Sequence, residues 1–217
     1  MQIYRRLFDA FGPQHWWPAE TPFEVIVGAV LVQNTNWENV KRAIENLRQT
    51  DLLEPHALLA VPIEELEELI RPAGYFRIKA GRLRSVLRFL VERYDGSLEA
   101  MFRTPLNALR RELLAVHGVG PETADSILLY AGHLPAFVVD AYTHRIFARH
   151  GWIEYDTDYH AIQDYFQGGL PDDVPLWNEY HALLVHLGKH FCRKTRPRCA
   201  ECPLSEMLPA GGSLEPE

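Results

Sequence analysis

A chain of 217 residues, 47% of them hydrophobic, can bury a substantial core as one large domain or as two small ones. Its longest apolar run, Val25 to Val32, suits a buried helix and is too short for a membrane span, and the start Met1-Gln2-Ile3-Tyr4-Arg5-Arg6 has no secretory core. The net charge of -7 speaks against a nucleic-acid partner, but base gathers locally in Arg77 to Arg88 and Lys189 to Arg198, and phosphate binding depends on the local face.

In chain order, helical periodicity dominates. Glu38 to Arg48 sets Val40, Ile44 and Leu47 on one stripe. Lys79 to Tyr94 stacks Leu83, Val86, Leu87, Leu90 and Tyr94. Leu106 to Val116 aligns Leu106, Leu109, Leu113 and Val116, and Leu176 to His190 aligns Tyr180, Leu183, Leu184 and Leu187. No stretch alternates long enough for a strand. Pro and Gly mark the joins at Gly12-Pro13, Pro72-Ala73-Gly74, Gly118 to Pro121 and Gly168 to Pro171. The pattern predicts an all-α protein of about ten helices, with Pro209 to Glu217 a flexible tail. Three cysteines crowd near the C-terminus. Without a secretory signal they read as metal ligands sooner than disulfides, in a cytoplasmic protein.

The most informative stretch is Val116-His117-Gly118-Val119-Gly120-Pro121-Glu122-Thr123-Ala124. A helix ends, a Gly-x-Gly turn follows, and Pro121 opens the next helix. Free N–H groups at that helix start suit an anion; an ordinary helix corner would read the same. After it, Val138-Val139-Asp140-Ala141-Tyr142-Thr143 brings one carboxylate to a helix start, where a plain N-cap is the simpler account.

The hairpin, Asp140 and the cysteines, in this order, resemble the endonuclease III superfamily of HhH-GPD DNA glycosylases from about Phe23 to Cys202. The resemblance implies a two-lobed helical fold. One lobe would span residues 23–132 with the helix-hairpin-helix; the other would combine 1–22 with 133–208. Gly118, Val119, Gly120 and Thr123 would grip one phosphate of duplex DNA, and Asp140 would steady positive charge on the deoxyribose as the N-glycosidic bond breaks. Members that also cut the backbone carry a Lys where Glu122 stands. A carboxylate cannot form a Schiff base, so base release by water, without lyase activity, is expected of a monomer.

Trp16-Trp17-Pro18 and Trp37, after Gln33-Asn34-Thr35-Asn36, resemble the base pocket of the 3-methyladenine branch of this superfamily. Aromatic faces there would hold a cationic alkylated purine, with Lys189 at the same pocket; plain core packing is the competing account. Gln33 would fill the gap left by the flipped base, and Tyr75 or Phe76 would wedge from the other side; a surface loop is the bland alternative for each. Cys192, Cys199 and Cys202 read C-x6-C-x2-C, and Leu208 stands where the superfamily pattern has a fourth cysteine. An iron–sulfur cluster, [4Fe–4S] with a non-cysteine fourth ligand, is the expectation. A [3Fe–4S] cluster, zinc with His190, and no metal stay open. Two other functions compete: a pyrimidine-lesion glycosylase that has lost its lyase step, and a non-catalytic DNA-binding module. Asp140 argues against the second, which has no need of it.

Overall fold

The computed structural model describes residues 1–16 and 19–215. The described residues are helical, without a strand, and they form two compact units. The first unit holds Met1–Trp16 and Pro135–Glu217; the second holds Trp17–Leu134. Helix α1 (Gln2–Phe11) belongs to the first. The second contains α2 (Pro22–Leu31), α3 (Trp37–Gln49), α4 (Pro55–Ala60), α5 (Ile63–Leu69), α6 (Phe76–Tyr94), α7 (Leu98–Phe102), α8 (Leu106–Leu114) and α9 (Pro121–Ser126). A π-helical segment, Ile127–Ala131, continues α9. The first unit is completed by α10 (Ala141–Arg149), α11 (Tyr159–Gly169) and α12 (Val174–His190). No described helix is long and apolar enough to cross a membrane.

The core of the second unit is built around α2. Thr21 caps it by accepting from the Glu24 N–H, Pro22 sits in its first turn, and every residue from Phe23 to Leu31 is buried. A helix apolar on all sides must be enclosed; α3, α6, α9 and the π segment pack against it. Two polar groups pass through this packing. Buried Glu24 receives Arg48 Nη2 at 2.8 Å. Lys79, 1% exposed, donates to the carbonyls of Leu31 (2.8 Å) and Ala73 (2.7 Å). Those acceptors satisfy the ammonium, while burial and then Arg82 pull its pKa down to about 8.

The first unit closes on an aromatic cluster. Phe137 stacks on Phe166 at 4.1 Å and meets Trp177, Tyr180 and His181 edge-on. Helices α10 and α12 pack together closely. A Cβ on Gly188 would run into the Tyr142 ring, so only glycine fits there.

The four long periodic stretches are all helices, within two or three residues of their predicted ends. The short helices α4, α5 and α7 carry too few turns to show a period. The expected flexible tail is instead tied to α10 as far as Glu215. Leu214 N–H donates to the Arg149 carbonyl (2.9 Å), and Arg149 Nη2 reaches Glu215 at 3.0 Å.

Candidate active site

Asp140 is the N-cap of α10. Its extended backbone turns the carboxylate onto the helix start, where Oδ1 accepts from the Thr143 N–H at 2.7 Å. Oδ2 lies 3.6 Å from His181 Nε2, a buried ring presented by α12. Burial works to raise this carboxyl's pKa, but His181 and the Thr143 amide outweigh it and hold the group below the usual aspartate value. Its side chain is 11% exposed. The N-cap predicted as the simple account is real, and it leaves an anion that keeps its charge while largely shielded from water.

His181 escaped notice in the sequence. It shares the α12 face of Leu184, and a polar residue on an otherwise apolar stripe was the available signal.

The hairpin lies wholly in the second unit. Helices α8 and α9 are locked together by a bidentate ion pair: Arg110 Nε and Nη2 donate to Asp125 at 2.7 and 2.9 Å, and Asp125 is fully buried. Of the two glycines only Gly118 uses a positive φ, at 85°; a Cβ there would run into the Arg82 side chain. Gly120 has φ −96°, and its face is open, so its contribution is access to the backbone. Val119 is buried beneath the turn. Glu122 is exposed in the first turn of α9, where a carboxylate suits the helix dipole.

Gln33 does not stand free. Its Nε2 donates to the Gly118 carbonyl (3.1 Å) and to Thr123 Oγ1 (3.0 Å), and Arg82 donates to its Oε1. The side chain expected in a DNA gap is thus bonded to the hairpin in this structure. Tyr75, N-cap of α6, is 69% exposed and left-handed at φ 47°. Backbone held in that sparsely populated region marks sites over-determined by their surroundings. Phe76 is half-buried, with the Arg71 guanidinium 4.7 Å from its ring centre. Of the two candidates Tyr75 is the protruding one, and Ile78, 57% exposed, joins it.

Trp16 is half-buried in the first unit with Lys189 Nζ 5.3 Å from its ring centre. Trp37 is the half-buried first residue of α3, in the second unit. Trp17 and Pro18 lie outside the described residues. Lys189 also borders a groove of about 440 Å³ with Tyr142, Arg145, Arg193 and Lys194. This face concentrates positive charge on an acidic chain.

Cys192, Cys199 and Cys202 line one small cavity of about 10 Å³, partly open to solvent, together with Arg149, His150, Phe191, Leu208 and Ser213. Two arginines of α10 hold the loop. Arg145 Nε donates to the Cys192 carbonyl (2.7 Å); Arg149 Nη1 donates to the Arg193 carbonyl (2.6 Å) and approaches Cys192 Sγ at 3.6 Å. Among the described residues no three His, Cys, Asp or Glu side chains are placed to hold a single metal ion. His190 is exposed and does not border the cavity. Thiols spread around a common cavity fit a cluster, whose irons stand apart from one another.

The model of the HhH-GPD superfamily base excision DNA repair proteins matches residues 27–172. A putative DNA repair glycosylase of Methanocaldococcus jannaschii is 52% identical, covering 94% of this chain and 93% of its own. Among solved structures, a non-covalent endonuclease III–DNA complex is similar with a TM-score of 0.82 and 26% identity, over 95% of this chain and 92% of the other. An H. pylori 3-methyladenine DNA glycosylase bound to 1,N6-ethenoadenine is similar with a TM-score of 0.76 and 28% identity, over 87% of this chain and 96% of the other.

Proposed function

Because the chain belongs to the HhH-GPD superfamily of base excision DNA repair proteins, we propose that it releases alkylated purines from duplex DNA by water alone, with Asp140 as its catalytic carboxylate. The chain is a base excision repair DNA glycosylase whose partner is double-stranded DNA. What supports the finer reading is an ionised, shielded Asp140, together with Glu122 at the position that the resemblance gives to a lyase's amine.

Cleaving the N-glycosidic bond leaves positive charge on the sugar. A fixed anion in a poorly hydrated site stabilises that charge more than the same anion in water. Asp140 also accepts from Thr143, which fixes its direction before the reaction. The α8–α9 hairpin would take a phosphate on the open backbone at Gly120. The groove bordered by Arg145, Lys189, Arg193 and Lys194 would take others. Tyr75 would wedge the duplex. Gln33 would reach the gap only by giving up its bonds to Gly118 and Thr123. Trp16 with Lys189 supports an aromatic wall for the extruded base.

Cys192, Cys199 and Cys202 would hold an iron–sulfur cluster. Its contribution when bound is structural: it would tie down the loop that carries Arg193, Lys194, Arg196 and Arg198. Anaerobically purified protein should be brown; a colourless preparation carrying zinc or no metal would refute this part. The pyrimidine-lesion reading is favoured by the likeness to endonuclease III on DNA. Single-turnover release of 3-methyladenine and of thymine glycol from matched duplexes, followed by hot alkali, separates the two. Faster release of 3-methyladenine is expected; faster release of thymine glycol would overturn the alkylpurine assignment and leave the glycosylase assignment standing.

A further inference from the structure

The cavity that gathers three cysteines has Leu208 on its wall, and an isobutyl group binds no metal. Its other lining groups differ in what they offer. Arg149 is a cation without a lone pair, Phe191 has no donor atom, and the Ser213 hydroxyl lies 3.5 Å from Glu215. His150 remains. It is 6% exposed, caps the C-terminus of α10, and stacks on Trp152 at 4.4 Å with 23° between the ring planes. Its Nδ1 is 2.6 Å from the Ile146 carbonyl. A carbonyl only accepts, so Nδ1 carries the proton and Nε2 carries the lone pair. That Nε2 is buried and has no partner at hydrogen-bonding distance and angle, although the Leu204 backbone lies near enough to act on the ring. A buried nitrogen acceptor left without a donor needs an explanation.

We infer that His150 Nε2 is the fourth ligand of the cluster, replacing the thiolate missing at position 208. This rests on the cluster reading above. The arrangement is the one metal-binding histidines usually show, with the far ring nitrogen donating to a backbone carbonyl, which fixes both tautomer and ring direction. Histidine replaces cysteine on cluster iron elsewhere in iron–sulfur chemistry. The donor comes from α10, the helix that Asp140 caps at its other end. The cluster would thus join α10 directly to the Cys192–Cys202 loop, along with the arginine bonds already described.

The full chain, reconstituted anaerobically with iron and sulfide, should bind about four irons. After reduction, pulsed EPR should show a strongly coupled nitrogen that responds to ¹⁵N-histidine labelling. His150→Ala should lose that coupling and convert more readily to a three-iron form. His150→Cys should keep four irons without the nitrogen signal, and this variant serves where the alanine variant fails to fold. His190→Ala should change neither. Four irons in the wild type with no nitrogen coupling, or a coupling that survives in His150→Cys, would overturn the inference and spare the cluster. A wild type that takes up no iron would overturn both.

Discussion

Asp140→Asn separates the helix-cap role of this residue from the catalytic role proposed for it. The asparagine carbonyl can still accept the Thr143 N–H, now at 2.7 Å, and Asn and Asp are near equals as N-caps. Helix α10 should therefore form, with stability changed by well under about 1 kcal/mol from the cap itself. The negative charge is lost, however, and with it the carboxylate's contact with His181 Nε2 at 3.6 Å. Removing one group that stabilises transition-state charge in a shielded site costs about 2.7–4 kcal/mol, or 10²–10³ in rate. Asp140→Ala removes cap and charge together and should lose about 1 kcal/mol of stability as well. The assay is single-turnover base release from a lesion duplex, with affinity measured by gel shift and folding by thermal melt. Excision by Asp140→Asn at near the wild-type rate, with affinity unchanged, would reduce Asp140 to a helix cap and refute the assignment.

Four further outcomes are expected. Borohydride should trap no covalent complex between native protein and lesion DNA, because Glu122 offers no amine; efficient trapping would identify another nucleophile. Arg110→Ala leaves fully buried Asp125 without its guanidinium and should cost about 3–5 kcal/mol in urea melts; a loss below 1 kcal/mol would show the pair to be incidental. Gly118→Ala must place a Cβ against Arg82 at φ 85°, so it should weaken DNA binding as well as stability, and unchanged affinity would separate this turn from the phosphate. The folded-state pKa of Asp140 is lowered, so its ionisation contributes stability above the unfolded value of about 3.9, and that contribution is lost as pH falls through the lower folded value. Acid melts of wild type and Asp140→Asn should converge below that point, and a constant gap down to low pH would contradict it.

What the sequence revealed was local. The hairpin is a contiguous string, Asp140 follows an apolar run, and the cysteine spacing survives the loss of its last member. Helices long enough to repeat their stripe were legible for the same reason. What stayed hidden joins residues far apart. His181 meets Asp140 across 41 positions, Arg145 reaches the Cys192 carbonyl across 47, and Lys79 finds the Leu31 carbonyl across 48. Periodicity says which face a residue occupies but not which partner that face meets. Lys79 read as the polar start of a helix, and its burial follows from two carbonyls that no local pattern announces. Gly188 lies within the predicted helix Leu176 to His190, and nothing in that stretch announces that Tyr142 packs against it. The tail composition suggested fraying, and its bonds to Arg149 override that weak preference.

Lys79 carries a warning for the trapping experiment itself. An amine with a pKa of about 8 is partly unprotonated in mildly alkaline buffer and would condense readily with the aldehyde of an abasic sugar. In the folded protein it is sealed away, 1% exposed beneath α2. Partial unfolding would expose it and, with the burial gone, return its pKa toward the usual lysine value; the small unprotonated fraction would still meet the aldehyde, so a borohydride adduct formed in a stressed preparation could come from this side chain. Peptide mapping of any adduct therefore doubles as an integrity assay: label on Lys79 would report that the second unit had opened.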